Sequence, residues 1–382
     1  MNMIKNSRPV YGPQLRLSEE IDTTKYRQTG EDFYSKVVRI ADALKDGSEH
    51  FEQFKDILRH MRFLPAGRVQ NAMGAARQTT AYNCFVSGVI EDSMDSIMQR
   101  ATEAAETMRR GGGIGYDFSR IRPRGDLIKS LESRSSGPVS FMGIFDSICQ
   151  TIASSGHRRG AQMGVLRIDH PDIETFISAK QNSDKLTGFN ISVGVTDEFM
   201  QHLKAKTPFS LKFEGRVYKE VDPVALWDAI MRSTWDYAEP GVLFIDRMNE
   251  MNNLNYIETI SASNPCAEQP LPPFGACLLG SFNLVKYVDM VKQKFDWDQF
   301  KDDIRVVVRA MDNVVDRTIY PLEEQQAEAK SKRRMGLGIT GLANAGEMFG
   351  KPYASDDFMV FMEQVMRDLR DTSYDASADL AK

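Results

Sequence analysis

Short apolar runs alternate with helical stretches from about residue 80 onward, and this alternation constrains the fold more than any other feature of the sequence. Strands are predicted within 82–90, 111–121, 162–168, 188–195 and 241–249, and helices within 92–110, 141–155, 170–181, 196–205, 224–238 and 297–319. A parallel pair of strands needs a crossover connection, usually a helix. The alternation therefore favours an α/β fold with a largely parallel sheet.

The N-terminal part has a different pattern. Residues 1–28 show no clear periodicity, which predicts an extended arm. A helix is predicted over 31–46, where apolar residues recur at helical spacing and Thr29 and Asp32 form a start pattern. A second helix is predicted over 51–63.

The composition is that of a globular protein large enough to bury a substantial core, with 382 residues and 42% apolar side chains. The 48 basic and 53 acidic residues give a formal charge of -5, and no basic block indicates a nucleic-acid partner. No apolar run approaches the roughly 18 residues of a membrane span, and the first residues lack a signal or transit pattern. We therefore expect a cytoplasmic protein with no nucleic-acid or membrane partner.

Four cysteines are too few for a disulfide framework in a chain of this length. In a reducing compartment such cysteines more often bind metal, act in catalysis or pack in a core. The chain has no CxxC and only five histidines, so the pattern predicts no metal site. Cys149, in an apolar helical stretch, is expected to be a buried core thiol.

Two glycine-rich stretches raise the question of nucleotide binding. GGGIG at 111–115 does not continue as GxGxxG because Tyr116 follows, and GEMFGKP at 346–352 departs from the phosphate-binding loop. The first stretch then indicates either a tight turn or a close backbone approach to a sugar or phosphate. In SSGHRRGAQMG, at 154–164, guanidinium groups between glycines suit a triphosphate or an interface carboxylate, and a solvated basic loop is the ordinary alternative.

The stretch NPCAEQPLPPFGACLLGSFNL, at 264–284, contains two of the four cysteines in one Pro-rich loop. The first, Cys266, has Asn264 and Glu268 beside it. A neighbouring carboxylate raises the pKa of a thiol, so Cys266 suits hydrogen-atom donation or a sulfur radical better than nucleophilic attack. Glu268 is placed to take a proton from a substrate hydroxyl that Asn264 holds.

Two further cysteines complete a redox scheme. Breaking a C–O bond at such a site consumes two electrons, and a pair of thiols supplies two electrons when it forms a disulfide. Cys84 and Cys277 are 193 positions apart, but each lies next to a predicted strand. They are the pair available for this role.

Several long motifs occur together in this chain: the Asn-x-Cys-x-Glu loop, GACLLGSFNL after it, YNCFVSGVIEDSMDSI and GGGIGYDFSRIRPRG before it, and RRMGLGITGLANA near the end. In order and spacing they resemble the catalytic (large) subunit of ribonucleotide reductase. The resemblance covers roughly residues 60–382, and several motifs in register are more specific than any one of them.

The resemblance implies a ten-stranded α/β barrel with a central finger loop, preceded by a short helical N-terminal region and with its second half incomplete. It divides the chain into an N-terminal arm and helical region, 1–75, and the barrel domain, 76–382. The implied activity is that of an oxidoreductase, a ribonucleoside-diphosphate or -triphosphate reductase of EC 1.17.4 type. Such an enzyme makes deoxyribonucleotides for DNA synthesis and is regulated allosterically by dNTP and ATP.

Carried over residue by residue, the resemblance makes Cys266 the thiyl radical that removes the 3′ hydrogen of the substrate. Glu268 takes the 3′-hydroxyl proton and Asn264 orients the ribose hydroxyls. Cys84 protonates the departing 2′-hydroxyl and ends in a disulfide with Cys277. Substrate contacts are implied for Pro65, Ala66, Asn83, Gly112 and Gly113.

An effector site is implied as well. Asp92 matches the carboxylate that binds the effector ribose; a helix N-cap is the structural alternative for this residue, and the two roles are compatible. The stretches 157–164 and 181–190 match the two effector loops. The further effector-binding residues implied are His157, Arg158, Arg159, Gln181 and Lys185.

The last predicted helix, 356–382, has an apolar face that requires a further element, and we expect its exposure to promote association. The family's substrate-diphosphate loop, radical-transfer tyrosines and C-terminal cysteine pair find no counterpart. We therefore expect that the chain is an N-terminal part of the enzyme and that it needs a C-terminal remainder. A split gene, an intein-interrupted gene or trimming would each produce such a part. The alternative is a non-catalytic fragment that binds dNTP and dimerises.

The stretches HRRGAQMGVLRIDHPDIETFI and FLPAGR resemble the adenosylcobalamin-dependent class more than the class that receives its radical from a separate metal-containing small subunit. Adenosylcobalamin is therefore the favoured cofactor, with the small subunit as the alternative. The resemblance also implies a ribonucleotide substrate, a homodimer and a thioredoxin-like reductant.

Overall fold

The computed structural model of the protein describes residues 11–128, 132–152, 160–181 and 184–382. The α-helices within these ranges are α1 (Arg16–Ile21), α2 (Phe33–Leu44), α3 (Ser48–Arg59), α4 (Gly67–Ala72), α5 (Met94–Arg109), α6 (Pro138–Thr151), α7 (Ile173–Ile177), α8 (Asp197–Ala205), α9 (Pro223–Tyr237), α10 (Ile245–Met251), α11 (Trp297–Arg317), α12 (Glu323–Lys332), α13 (Leu342–Met348) and α14 (Asp356–Leu380). A π-helical turn, Asp22–Tyr26, follows α1, and a 3₁₀ turn covers Leu284–Tyr287.

The strands within the same ranges are short. They are β1 (Phe63–Pro65), β2 (Cys84–Val86), β3 (Gly113–Asp117), β4 (Leu127–Ile128), β5 (Ser133–Arg134), β6 (Gln162–Arg167), β7 (Phe189–Val195), β8 (Phe209–Phe213), β9 (Arg216–Val221), β10 (Gly241–Phe244), β11 (Ala262–Ser263), β12 (Pro270–Leu271), β13 (Ala276–Cys277), β14 (Leu279–Asn283), β15 (Val288–Asp289), β16 (Lys294–Phe295) and β17 (Gly336–Thr340). The prediction of mixed α/β content is confirmed.

The chain forms two compact units that alternate along the sequence. The first unit comprises Met1–Asn83, Leu278–Ile319 and Ala329–Lys382, and the second comprises Cys84–Cys277 and Tyr320–Glu328. The second unit therefore contains all four cysteines and residues 264–277 of the cysteine loop.

A six-stranded sheet organises the second unit, with the strand order β10-β7-β6-β3-β2-β13. The first five strands are parallel, and β13 at the end of the sheet is antiparallel to β2. The middle strands β3, β6 and β7 are buried almost throughout, as expected for parallel strands covered on both faces. The predicted largely parallel sheet is thus present.

A smaller sheet lies in the first unit, in the order β1-β14-β17. β1 runs antiparallel to β14, and β17 runs parallel to it. The long helices α11 and α14 of this unit pack against each other. Phe358, Phe361, Val365 and Leu369 of α14 are buried, so the expectation that the apolar face of this last helix is exposed was wrong for these four positions. Met366 of the same face is exposed.

The prediction of an extended arm at the N-terminus was wrong in part. Part of the expected extended arm is helical, since α1 and the π-helical turn cover Arg16–Ile21 and Asp22–Tyr26. The predicted helix that follows is present as α2. Its N-cap is Asp32, whose carboxylate accepts a hydrogen bond from the Ser35 backbone N–H at 2.7 Å, and Thr29 is not the cap.

Two further differences lie in the second unit. Strands β8 and β9 form an antiparallel hairpin that periodicity did not indicate. The predicted strand at 241–249 ends at Phe244 and continues as helix α10. In the described part of the chain, no helix is both long enough and apolar enough to cross a membrane.

Candidate active site

Strand pairing brings two distant cysteines together. Cys84 of β2 lies directly opposite Cys277 of β13 in the antiparallel register. Opposed residues of antiparallel strands have Cα atoms about 4.5–5.5 Å apart, which is within the range that a disulfide spans. Both residues are present as thiols, with Cys277 buried and Cys84 partly buried. The proximity expected for this pair is confirmed, whereas its redox role stays a prediction.

The surroundings of Cys277 favour the protonated thiol. Burial is the main reason why the pKa of Cys277 is raised far above its ordinary value, and negative charge at Cys84, Glu268 and Cys266 raises it further. These three groups are therefore near enough to Cys277 to affect its ionisation. A thiol held in this form donates a proton or a hydrogen atom more readily than it attacks as a thiolate.

The cysteine loop is held by a tight turn at Asn264. The Asn264 backbone N–H donates to the Gln269 carbonyl at 3.1 Å, and the Gln269 N–H donates to Asn264 Oδ1 at 2.9 Å. The Ala267 N–H donates to the Asn264 carbonyl at 3.0 Å, and Ala267 has a φ of +68°. Cys266 lies within this turn with its side chain exposed, so the turn presents the thiol rather than burying it.

The side-chain amide nitrogen of Asn264, Nδ2, has no hydrogen-bond acceptor in the described part of the protein. The residue is fully buried, and its Nδ2 has no hydrogen-bond partner in the structure although its Oδ1 has one. A buried amide without a partner costs free energy. The Nδ2 group is therefore suited to donate a hydrogen bond to a ligand, which fits the hydroxyl-binding role expected for Asn264.

Glycines of β3 explain how the loop reaches the sheet. A Cβ atom built at Gly115 would overlap the Ser263 carbonyl oxygen, and one built at Gly113 would lie 2.8 Å from Pro265 Cγ and 3.6 Å from Cys84 Sγ. The glycine-rich stretch therefore permits close backbone approach, but the chain that approaches is the cysteine loop. Gly112, by contrast, faces Phe85 and Thr107.

One residue of this site was missed as a loop anchor by sequence reasoning. Asn190 is the exposed position of the otherwise buried strand β7, and its Nδ2 donates to the Pro265 carbonyl at 2.7 Å. The signal was present in the sequence as a polar residue within the apolar run GFNISVGV. Its function as an anchor depends on a contact 75 positions away, which periodicity does not show.

Cys149 lies apart from the three thiols discussed above, in the core of the second unit, as predicted. Burial, together with the nearby Asp146 carboxylate, raises the pKa of Cys149 to about 11. Its sulfur packs so closely that a Cβ at Gly160 or Gly188 would lie 2.7 or 3.0 Å from it.

Three predicted substrate residues belong to the first unit. Pro65 pairs with Gly280 in the β1–β14 register, and its carbonyl accepts a hydrogen bond from Gln70 Nε2 at 2.8 Å. The Ala66 N–H donates to the Leu279 carbonyl at 2.9 Å. Asn83, which directly precedes Cys84 in sequence, has a buried Oδ1 without a partner in the structure.

Asp92 forms an ion pair instead of capping a helix. Its carboxylate accepts hydrogen bonds from Arg122, at 2.6 Å from Nε and at 3.1 Å from the backbone N–H. The N-cap of α5 is Ser93, whose hydroxyl accepts from the Ser96 N–H, so the N-cap alternative for Asp92 was wrong.

The other predicted effector residues are distributed differently. His157, Arg158 and Arg159 lie outside the described residues. Lys185 lines a cavity of about 570 Å³, whose wall also contains Arg124 and Asp146. Gln181 follows α7, and its backbone N–H donates to the Ser178 carbonyl at 3.2 Å.

Comparisons with known proteins show to which family the chain belongs. The model of the family described as "Ribonucleotide reductase, barrel domain" matches residues 82–382. The vitamin B12-dependent ribonucleoside-diphosphate reductase of Thermoplasma acidophilum is 37% identical over 337 residues, which are 87% of this chain and 43% of the relative. The Mycobacterium tuberculosis (strain CDC 1551 / Oshkosh) protein of the same name is 37% identical over 334 residues, 87% of this chain and 48% of the relative.

A more distant relative is named differently. The ribonucleoside-diphosphate reductase subunit alpha of Chlamydia pneumoniae is 26% identical over 366 residues, 86% of this chain and 35% of the relative. The chain thus spans less than half the length of each of these three curated relatives. The family match covers most of the chain, including the strands and the loop that hold Cys84, Cys266 and Cys277, and the chain belongs to the ribonucleotide reductase barrel-domain family.

Proposed function

We propose that the chain supplies the sulfur chemistry of a ribonucleotide reductase, which converts ribonucleotides to deoxyribonucleotides. The observation that carries this proposal is the grouping of three thiols with one carboxylate. Cys84 and Cys277 are opposed across two strands, and Cys266 and Glu268 are near enough to raise the pKa of Cys277. One thiol is exposed and two are set into a sheet, which matches one radical thiol and one reducing pair.

In the proposed reaction, the Cys266 thiyl radical takes the 3′ hydrogen of the ribose, and Glu268 accepts the 3′-hydroxyl proton. Cys84 donates a proton to the 2′-hydroxyl, which leaves as water, and Cys277 supplies the hydrogen that C2′ gains. Glu268 then returns its proton to the 3′ oxygen. The two electrons that reduce the sugar come from Cys84 and Cys277, which become a disulfide. Return of the hydrogen from Cys266 to C3′ regenerates the thiyl radical, so each deoxyribonucleotide consumes two thiols.

Asn264 positions the substrate in this scheme. Its buried Nδ2 donates to a ribose hydroxyl, and its Oδ1 remains bonded to the loop backbone. The same side chain therefore links the shape of the loop to the position of the sugar. Placing the 3′ carbon next to the Cys266 sulfur is an orientation effect, which contributes much of the rate in well-ordered sites.

We propose adenosylcobalamin as the radical source, because the relatives at 37% identity carry vitamin B12-dependent names. When bound, this cofactor supplies a carbon-centred radical. The residue of this chain that fits it is Cys266, whose thiol is exposed within its turn. Radical supply by a separate metal-containing subunit is the alternative, and omission of the cofactor from the assay distinguishes the two.

We also propose regulation by dNTP, which is supported by fewer observations. Lys185 and Arg124 line a polar cavity in the second unit, together with the carboxylates Asp146, Asp172 and Asp184. Arg124 lies two residues from Arg122, the partner of Asp92. A triphosphate needs such cationic groups. The proposed function also includes the remaining expectations from the sequence. These are a ten-stranded barrel with a finger loop, a domain division at 75/76, a homodimer, a thioredoxin-like reductant and a cytoplasmic location.

The test uses this chain as part of an enzyme of the length of its relatives, of which the chain spans less than half. With adenosylcobalamin, a ribonucleoside diphosphate and no external reductant, we expect one deoxyribonucleotide per Cys84–Cys277 disulfide, the disulfide being identified by peptide mass spectrometry. Cys266→Ser should lower product formation on the order of 10³-fold or more, because a serine O–H bond is too strong to yield the radical.

Cys149→Ser is the matched control, since Cys149 is buried away from the loop, and this variant should keep both product and disulfide. Product formation by Cys266→Ser at the rate of the unmodified enzyme would overturn the assignment of the radical thiol. A disulfide that joins Cys266 to either partner would overturn the assignment of the reducing pair.

A further inference from the structure

The first unit contains a cavity of about 360 Å³ between its N-terminal helices and β1. Most of its wall is apolar, with Phe33, Ile40 and Phe63 among the lining side chains. Cavities of this size hold small organic molecules. The cavity is lined by Pro65, a predicted substrate contact, but by none of Cys84, Cys266, Cys277, Asn264 and Glu268, so the inference drawn from it does not depend on the proposed sulfur chemistry.

Part of the cavity wall is polar and charged. Lys36 lines it and is only 4% exposed. Its ammonium group forms an ion pair with Asp22 and donates a hydrogen bond to Gln70 Oε1 at 3.1 Å. An ammonium group has three N–H donors, so these contacts account for two of them. The Tyr26 side chain lies at the cavity as well.

The buried charges in the neighbourhood of Lys36 are not balanced, and of these charged groups Lys36 and Asp22 line the cavity itself. Three cationic side chains, Arg27, Lys36 and Arg39, are at most 12% exposed, whereas the anionic side chains buried to the same degree are Asp22 and Glu31, each 9% exposed. Glu19, the other partner of Arg27, is 49% exposed and therefore largely hydrated. Burying charge is costly unless it is compensated, so the excess cation favours an anionic group in the cavity.

We propose that this cavity binds a small monocarboxylate whose apolar body is about the size of one aromatic ring. The carboxylate lies beside Lys36 and accepts a hydrogen bond from its ammonium group. The ring lies among the apolar side chains.

The experiment titrates the full chain with 4-fluorobenzoate and, separately, with 4-fluorobenzyl alcohol, which has the same ring without the charge, and follows the fluorine NMR signal. We expect saturable binding of the benzoate and at least about tenfold weaker binding of the alcohol, because a hydrogen bond to a charged group is lost. Absence of saturable benzoate binding, or equal affinity for both probes, overturns the proposal.

Three variants locate the site. Lys36→Met removes the charge and should weaken benzoate binding at least about tenfold. Ile21→Trp, at a lining residue that is 42% exposed, should fill the entrance and weaken both probes without removing a charge. Lys45→Met is the control, because it removes the same charge just after the C-terminal end of the same helix from a side chain that is 44% exposed.

Unchanged benzoate affinity in folded Lys36→Met and in Ile21→Trp places binding elsewhere and overturns the proposal. If Lys36→Met does not fold, as judged by circular dichroism, the comparison of Ile21→Trp with Lys45→Met decides the question alone. An effect of Lys45→Met equal to that of Lys36→Met indicates non-specific attraction and also overturns it.

Discussion

The cysteine loop and the β2–β13 strand pair hold their thiols in opposite ways. In the loop, a turn closed by Asn264 leaves Cys266 exposed. In the strand pair, the ladder fixes Cys84 opposite Cys277 and burial keeps Cys277 protonated. The difference shows that one set of backbone contacts can present a thiol to a reactant while another holds two thiols ready for disulfide formation.

The exposed position of Cys266 depends on how closely the cysteine loop approaches β3. Gly115→Ala should disturb this approach more than any other variant described below. The added methyl group would overlap the Ser263 carbonyl oxygen, which belongs to the backbone and cannot rotate away. We expect the free energy of unfolding to fall by about 3 kcal/mol or more. Thermal and urea unfolding measure this change.

The control for this prediction is Gly143→Ala, at a helical glycine of α6 with no atom within 4 Å of the added Cβ. It should leave the unfolding free energy unchanged or raise it by up to about 1 kcal/mol. Equal stability of the two variants would mean that the loop does not rest on the glycine face of β3.

Alkylation rates sharpen the comparison between the exposed and the buried thiol. Iodoacetamide reacts with thiolates, and the raised pKa of Cys277 means that few molecules carry its thiolate at neutral pH. At pH 8, Cys266 should react at least about 100-fold faster than Cys277, with burial adding to the difference. Timed labelling with peptide mass spectrometry gives both rates, and denaturant should bring them together. Equal alkylation rates of Cys266 and Cys277 in the native protein would contradict the view that one thiol is exposed and the other is buried and protonated.

The alkylation rate of the buried thiol Cys149 should rise with pH. Its pKa of about 11 lies above the ordinary thiol value, so the thiol form persists at neutral pH and reactivity grows only as the pH rises. Labelling of Cys149 in the native protein should increase about tenfold per pH unit between pH 8 and 10. A plateau reached below pH 9 would show that Asp146 and burial do not control this thiol.

The smallest expected effect concerns the anchor between β7 and the loop. Asn190→Ala removes the hydrogen bond to the Pro265 carbonyl and should lower the unfolding free energy by about 1 kcal/mol. It should also increase cleavage of the loop by a non-specific protease. Asn255→Ala, at an exposed position in another loop of the same unit, is the control and should behave as the unmodified chain. Identical cleavage of the two variants would show that Asn190 does not anchor the loop.

Local pattern was sufficient for most elements that surround the site. Alternating apolar runs predicted β3, β6 and β7 and the helices between them, because strands buried on both faces produce continuous apolar runs. The Asn, Cys and Glu residues of the cysteine loop were likewise recognised from their spacing. Elements whose polarity follows no simple period were not found, as the β8–β9 hairpin and the helical turns before α2 show.

The chemistry of the thiols was therefore determined by the sequence only in part. Residue types and spacing identified Cys266, Asn264 and Glu268 as neighbours because they lie within five positions of one another. The pairing of Cys84 with Cys277, the contact of Asn190 with Pro265 and the packing of Ser263 on Gly115 join positions far apart in the chain. Only the tertiary structure decided these contacts, because strand register and backbone approach depend on how the whole sheet packs.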